Sequence, residues 1–237
     1  MQKTTYLLTL AGCLLLSCTA FSQDFIPAYD RFSGKETSYI TLENGTKLEG
    51  TLEDLDRRKG LIEEVVIKDA TGKKITLKPD QIKSMYLMPS GLSKLSTNMD
   101  VGTKVKKWDA QYIDSEIIKK GYAYFEKAKV VLKKDQEMLL MQLLNPGFNS
   151  KIKVFHDPFA AETMRVGFGG MTMAGGDDKS YYVQAGDLPA KKLKKKEYED
   201  EIKVMYASCP ALVKKIGEKL RWSEFAKHVY EFSFECP

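Results

Sequence analysis

The first clear pattern in the chain is an alternation of apolar and polar positions between residues 37 and 88. Ile40 and Leu42 share one face of a strand, and Asn44-Gly45 follows them. Asn-Gly is a strong hairpin signal because both central residues of that tight turn need a positive φ. Gly50 on the return strand indicates a bend or bulge where a barrel closes. Five short strands with turns of this kind predict a small SH3-like barrel.

A second β-rich region follows a break at residues 89–107, where Pro, Gly, Ser and Thr are frequent. The strand candidates are residues 122–125, 130–132, 138–144, 152–155, 164–168 and 180–184. Residues 138–144 are continuously apolar apart from one Gln, and periodicity does not distinguish a buried strand from a short buried helix there. Residues 175–178, Gly-Gly-Asp-Asp, predict the tip of a hairpin.

The last part of the chain has the spacing of amphipathic helices. Pro210 ends a first helix and suits the first turn of a second, and Ser223 can cap a third. The sequence therefore predicts an α+β fold with an N-terminal SH3-like β-barrel, a second β-rich region and C-terminal helices. The predicted units are a signal peptide (1–22), the barrel with its linker (23–107), the β-rich region (108–188) and the helical tail (189–237).

The N-terminus has the three parts of a secretion signal. Lys3 supplies positive charge, residues 6–16 form a Leu-rich uncharged run, and small residues follow. This run is too short to cross a bilayer, which needs about 20 residues. Cleavage after Ser22 leaves Gln23 first, whereas Leu15-Leu16-Ser17-Cys18 resembles a lipobox in which Cys18 is lipidated. We expect a secreted or periplasmic protein, the alternative being a lipid anchor at the outer membrane through Cys18.

Charge and cysteine content narrow the compartment and the partners. Lys and Arg number 37 against 32 Asp and Glu, and this mild excess is spread along the chain, so nucleic acid is not an expected partner. Cys209 and Cys236 are the two cysteines that follow the signal region. An even pair outside the cytoplasm predicts a disulfide, which would close a loop of 28 residues.

Several motifs support a family resemblance. They are Asn44-Gly45, Gly50, Lys78-Pro79-Asp80-Gln81-Ile82, Tyr181-Tyr182-Val183, a Lys-rich helix, Tyr206-Ala207-Ser208-Cys209-Pro210-Ala211-Leu212 and Cys236. In this order they resemble secreted Bacteroidetes proteins of unknown function, over most of the chain after the signal. The resemblance implies export, a small N-terminal β-barrel and a Cys-containing helical C-terminus, and it implies no activity.

Candidate catalytic and metal sites are few. His156-Asp157 follows an apolar strand, and an aspartate beside an imidazole can orient it for acid–base work. No Ser or Cys nucleophile stands in a recognisable motif nearby, and His228 is expected on a helix surface. Two separated histidines do not predict a zinc site, and Asp177-Asp178 with Asp187 lack the spacing of a calcium loop. We therefore predict no catalytic residue, no metal and no cofactor.

Candidate binding residues are mainly aromatic. The Gly-rich residues 167–176 lack the Lys and the helix of a phosphate loop, which favours a hairpin. The basic run at residues 191–196 precedes an acidic run, which favours a solvated helical face over binding of anionic lipid. Exposed tyrosine rings can stack on sugars, although most fill cores. The candidate stacking residues are Tyr122, Tyr124, Tyr181 and Tyr182.

These observations predict an exported cell-envelope protein that is not an enzyme. We expect a non-catalytic binding or structural module whose partner is an envelope protein or a glycan, with membrane association only if Cys18 is lipidated. The alternative is a glycan- or lipid-binding protein. A third hypothesis is an unrecognised hydrolase that uses His156 in a cleft.

Overall fold

The computed structural model describes residues 24–91, 107–159 and 179–237. Within these residues, ten strands form one antiparallel sheet. The strands are β1 Thr37–Leu42, β2 Lys47–Arg58, β3 Leu61–Lys68, β4 Lys74–Leu77, β5 Ile82–Leu87, β6 Ala123–Leu132, β7 Asp135–Leu143, β8 Ile152–His156, β9 Ser180–Ala185 and β10 Lys191–Lys194. The helices with described bounds are α1 Ser115–Lys119, α2 Tyr198–Met205, α3 Pro210–Glu218 and α4 Phe225–Glu235.

The order of strands corrects the predicted fold class. Across the sheet the order is β10-β9-β8-β7-β6-β5-β1-β2-β3-β4. Strand β5, assigned to the barrel, pairs with β6, assigned to the second region, from Ser84 opposite Glu126 to Leu87 opposite Ala123. The prediction of an SH3-like barrel beside a separate β-rich region is therefore wrong. Alternation shows which face of a strand is buried, but it does not show which strands become neighbours.

The local elements follow the sequence more closely. Gly45 has a φ of 84° in the turn between β1 and β2, as Asn44-Gly45 predicted. Pro79–Gln81 form a single 3₁₀ turn. The apolar run at residues 138–144 lies almost entirely in β7, so the strand interpretation is confirmed. The strand candidate at residues 164–168 and the hairpin tip at residues 175–178 lie outside the described residues.

The predicted helix at the basic run is wrong at its beginning. Lys191–Lys194 form β10, which pairs with β9 and buries Leu193 while its lysines stay exposed. Pairing with β9 satisfies the main-chain N–H and C=O groups of these residues, which a helix would have satisfied internally. Ala190, just before β10, also bonds to β6, because its N–H donates to Lys129 O at 2.7 Å and its carbonyl accepts from Val131 N–H at 2.9 Å. The sheet therefore curls back on itself at this end.

Two apolar clusters divide the interior. The first joins β1–β7 and α1 and includes Phe155 of β8 and Tyr182 of β9. Ile40, Val65 and Met85 are among its fully buried members. The second joins β8–β10 to the helical tail, where Tyr198 and Tyr206 are fully buried. Helices α2, α3 and α4 lie within residues 189–237, where helical spacing was predicted, after strand β10. None of the helices in the described parts of the chain is long and apolar enough to cross a membrane.

The predicted disulfide is present. Cys209 and Cys236 are bonded, with their Cα atoms 5.7 Å apart. The bond joins the residue before α3 to the residue after α4, and Cys209 is buried in the second cluster. A disulfide is compatible with a location outside the cytoplasm.

An N-terminal arm, residues 24–36, crosses from one cluster to the other. Phe25 packs in the second cluster, with its ring 5.4 Å from that of Phe225. Ile26 and Tyr29 belong to the first cluster. Gln142 on β7 fixes the arm, because its side chain accepts from the N–H of Tyr29 at 3.0 Å and donates to a main-chain carbonyl of the arm at 2.8 Å.

A buried amide shapes the turn between β7 and β8. Asn145 is fully buried, and its Nδ2 donates to the carbonyls of Phe148 and Ile152 at 2.7 and 2.8 Å. Its Oδ1 accepts from Val154 N–H at 2.8 Å. One side chain thus satisfies three main-chain groups that would be buried without partners. This turn directs β8 towards the arm and places His156 at the end of that strand.

Candidate ligand-binding cleft

A small cleft lies where the N-terminal arm meets the β2–β3 hairpin and the ends of β7 and β8. Its volume is about 50 Å³. A single water needs about 10–15 Å³ measured in this way, so the cleft has room for a few waters or one small chemical group. The polar lining comes from Asp30, Arg57, Gln142 and His156, and much of the remaining wall is apolar.

Arg57 is the main charged group of the cleft. It lies near the end of β2, two residues after Leu55, and therefore shares the inward face of the strand with that residue. Its side chain is 20% exposed, and its guanidinium lies 5.7 Å from the centre of the Phe32 ring. Burial lowers the pKa of Arg57 and the charge of Asp30 opposes the shift. The guanidinium stays protonated at neutral pH because its ordinary pKa exceeds about 12.

The hydrogen bonds of Arg57 are incomplete. Nη1 donates to the main-chain carbonyl of Asp30 at 2.9 Å, while the Asp30 carboxylate is 3.9 Å away and its side chain is 68% exposed. Nε is buried and has no hydrogen-bond partner among the residues that the structure describes. An exposed carboxylate at that distance compensates a buried positive charge only weakly. One donor of the guanidinium is therefore left unsatisfied.

His156 is the second incomplete group. It ends β8 and lines the same cleft, and its Nδ1 is buried without a partner in the described chain. Burial lowers the pKa of His156, Arg57 acts in the same direction, and Asp30 and Asp157 oppose the shift. The imidazole is therefore neutral at neutral pH. It presents either a donor or an acceptor at Nδ1, depending on its tautomer.

The Asp157 carboxylate bonds to residues other than His156. It is fully buried, and Lys192 Nζ lies 2.6 Å from its Oδ2. Ser180 Oγ also donates to Oδ2 at 2.7 Å, and the N–H of Phe159 donates to Oδ1 at 3.0 Å. The sequence hypothesis paired this carboxylate with His156 for acid–base work. The contacts of Asp157 instead join the end of β8 to β9 and β10.

The β2–β3 hairpin closes one side of the cleft through main-chain contact. Lys59 and Gly60 form its turn with φ values of 52° and 82°. A Cβ atom on Gly60 would lie 2.0 Å from the carbonyl oxygen of Pro158, a residue that also lines the cleft. Glycine is needed here both for its positive φ and for this close approach.

The first pair of predicted stacking residues is buried. Tyr122 is 6% exposed, and its ring centre lies 5.7 Å from that of Tyr39. Tyr124 is 3% exposed and lies between Tyr86 at 4.9 Å and Tyr112 at 6.5 Å. Tyr39, Tyr86 and Tyr124 are consecutive partners across β1, β5 and β6. Tyr112 is the member of this group with a largely exposed ring.

The second pair is buried as well. Tyr181 stacks on Trp222 with ring centres 5.5 Å apart and contributes to the second cluster. Tyr182 is 3% exposed, and burial together with the nearby Asp157 charge raises its pKa to about 12. Stacking of a ligand on any of the four predicted tyrosines stays a prediction, and Cys18 lies outside the described residues.

His228 was expected on a helix surface, and that expectation is wrong. It is 4% exposed on α4, and its Nδ1 lies 2.7 Å from the hydroxyl of Tyr198. Over the described ranges, no group of three or more His, Cys, Asp or Glu side chains has the arrangement of a metal site. The calcium candidate of Asp177-Asp178 with Asp187 falls partly outside those ranges.

Comparison with protein-family models, with curated proteins and with solved structures gives no match to this chain. The cleft is therefore the feature of this chain that indicates a function. Sequence reasoning missed Asp30 and Arg57, because Arg57-Arg58-Lys59-Gly60 has the composition of a polar turn. The available signal was the spacing of Arg57 from Leu55, which places a basic residue on the apolar face of β2.

Proposed function

We propose that this chain is an exported, non-catalytic binding protein of the cell envelope that holds a polar group of its ligand in the cleft. The observation that carries the proposal is the presence of two unpartnered buried nitrogens, Arg57 Nε and His156 Nδ1, beside one small cavity. A buried polar group without a partner costs about 1–3 kcal/mol, so native proteins contain few of them. A ligand group that bonds to both nitrogens would remove this cost.

The surroundings of His156 favour binding over catalysis. A general base is normally oriented by a second group, as a carboxylate orients histidine in hydrolases. The neighbouring Asp157 is engaged by Lys192 and Ser180 and does not serve His156 in this way. An imidazole held neutral beside a guanidinium suits recognition of a polar group.

Export is supported by the signal-like N-terminus and by the disulfide between Cys209 and Cys236. Intact mass of the protein recovered from cells tests both points in one measurement. We expect cleavage after Ser22 and a mass lower by two hydrogens for the bonded cysteines. A mass that corresponds to a lipidated Cys18 would instead support the outer-membrane anchor. An unprocessed chain with two alkylatable thiols would contradict export.

Binding in the cleft can be tested with two neighbouring arginines. Arg58 follows Arg57 on β2, but its side chain is 73% exposed and makes only a 3.8 Å contact with Glu63. A thermal-shift screen against a panel of small organic acids, sugars, amines and phosphate should yield stabilising compounds. Their effect should disappear in Arg57→Gln and persist in Arg58→Gln. If no compound acts in an Arg57-dependent manner, the cleft is not the binding site.

A glycan-binding function is the second candidate, and exposed Tyr112 favours it. The ring of Tyr112 is 54% exposed, with Lys153 Nζ 5.2 Å from its centre. Lys153 also pairs with Glu126 at 2.7 Å. An aromatic ring beside a charged pair can stack on a sugar and bond to its hydroxyls. Retention on a glycan column that Tyr112→Ala abolishes and Met138→Ala preserves would support this candidate, since both side chains are exposed.

A further inference from the structure

The free edge of Arg57 determines which ligand chemistry fits the cleft. Nη1 is already bonded to the carbonyl of Asp30, and Nε has no hydrogen-bond partner in the described residues. The edge that carries Nε holds two parallel N–H donors, the geometry that matches the two oxygens of a carboxylate. His156 Nδ1 adds a third group that can donate to the same ligand in one of its tautomers.

The charge of the cleft favours an anion. The positive charge of Arg57 is largely buried, and the Asp30 carboxylate approaches it only to 3.9 Å from the solvent side. An anionic group at the Nε edge would supply the close counter-ion that the fold does not provide.

The walls of the cleft disfavour a highly charged anion. The volume of about 50 Å³ accommodates a planar group of a few heavy atoms. Leu61, Phe125, Leu140 and Met141 form an apolar part of the wall. Tyr29 and Gln142 add polar side chains, and the amide of Gln142 is already bonded to the arm. A phosphate has four oxygens and carries more than one negative charge at neutral pH, and two or three nitrogens would leave part of it desolvated and unbonded. A carboxylate has two oxygens and a carbon substituent that suits an apolar wall.

We propose, on the basis of the proposed function, that the cleft between Arg57 and His156 is a binding site for a monocarboxylate with a small apolar carbon chain. Arg57 binds the two oxygens through its Nε edge. His156 contacts one of these oxygens, and the apolar residues contact the carbon chain. The main chain of Asp30 holds the guanidinium in place through Nη1. Because the cleft is small, the carboxylate end of the ligand is the part that it recognises.

The test compares three probes of similar size at fixed ionic strength. The purified exported protein, labelled with ¹⁵N, is titrated with isobutyrate, with its neutral isostere isobutyramide and with inorganic phosphate. We expect saturable shifts with isobutyrate, including the side-chain Nε–H signal of Arg57, and much weaker binding of the other two. Arg57→Gln should weaken isobutyrate binding at least about tenfold, whereas Arg58→Gln should leave it unchanged.

The outcomes separate this inference from the proposed function. Tighter Arg57-dependent binding of phosphate, or equal binding of the amide, would overturn the carboxylate assignment while leaving the cleft a binding site. Absence of isobutyrate binding would also overturn it, and the wider panel screen then decides the proposed function independently. If Arg57→Gln loses its native circular dichroism, His156→Gln serves as the second variant, and unchanged isobutyrate affinity in a folded His156→Gln contradicts the assignment.

Discussion

Removing the disulfide of the helical tail should destabilise the protein by an amount that depends on the length of the loop between the two cysteines. Cys209 and Cys236 are separated by 27 positions. In the chain-entropy description, opening a loop of this size costs about 3.5 kcal/mol at 25 °C. Cys209 is also buried in the second cluster, so its replacement by Ala adds a small loss of packing. For a chain of ~150–250 residues, the loop term alone corresponds to a fall in Tm of about 7–14 °C.

Urea unfolding measured with and without reductant provides the assay. Trp222 is buried in the same cluster as Cys209, so its fluorescence reports unfolding of the region that the bond constrains. Reductant should lower the unfolding free energy of the natural chain to nearly that of Cys209→Ala/Cys236→Ala, and it should not affect the double variant. A loss below about 1 kcal/mol would refute the reasoning, because it would mean that the unfolded tail is already restricted without the bond.

Three further predictions concern single positions. In urea titrations, Gly60→Ala should lower the unfolding free energy by about 1–3 kcal/mol more than Gly45→Ala does. Both glycines have φ above 80°, but of the two only Gly60 would bring a Cβ into contact with other atoms. Asn145→Ala should cost about 2–4 kcal/mol in the same assay, since it leaves three main-chain groups unpaired. Burial lowers the pKa of His156 and of His228 below the ordinary value of about 6.5. The unfolded chain then binds protons that the native chain does not, so stability should fall as the pH drops below about 6.5, and the fall should be shallower in His228→Gln.

Features that depend on residues close together in the sequence could be predicted from the sequence alone. Asn44-Gly45 places a positive φ at the turn between β1 and β2 whatever the rest of the chain does. Pro210 begins α3 because proline needs no amide partner at the first turn of a helix. The pairing of Cys209 with Cys236 followed from the count of cysteines that lie after the predicted signal region.

Features that depend on distant segments were not accessible. The break at residues 89–107 looks like a boundary between modules, yet the strands on either side of it, β5 and β6, are hydrogen-bonded neighbours. The sequence of a long connection does not show which strand edges pair with each other. The unpaired main-chain groups at the edge of β5 favour pairing with a further strand, and β6 fills that position. The same limit applies to His228, because helical spacing alone did not show that Tyr198 would cover it.

The cleft illustrates this limit most directly. Asp30 comes from the arm, Arg57 from the end of β2 and His156 from the end of β8, so no spacing motif connects them. Arg57 occurs within a basic run that composition assigns to a turn. Its spacing from Leu55 indicates its inward direction, but its partner on β3 depends on a register shift between Asp56 and Arg57. Register shifts of this kind follow from tertiary pairing and cannot be assigned from alternation alone.

The arm couples the cleft to the rest of the fold. It packs Phe25 into the second cluster and Tyr29 into the first, and the next residue, Asp30, bonds to Arg57 through its carbonyl. A ligand bound to Arg57 therefore stabilises the conformation in which the arm is docked on both clusters. By mass action, a ligand at 100 times its Kd would add about 2.7 kcal/mol to the unfolding free energy. Because Asp30 of the arm holds Arg57 and Gln142 fixes the arm, docking of the arm and formation of the cleft are one structural requirement.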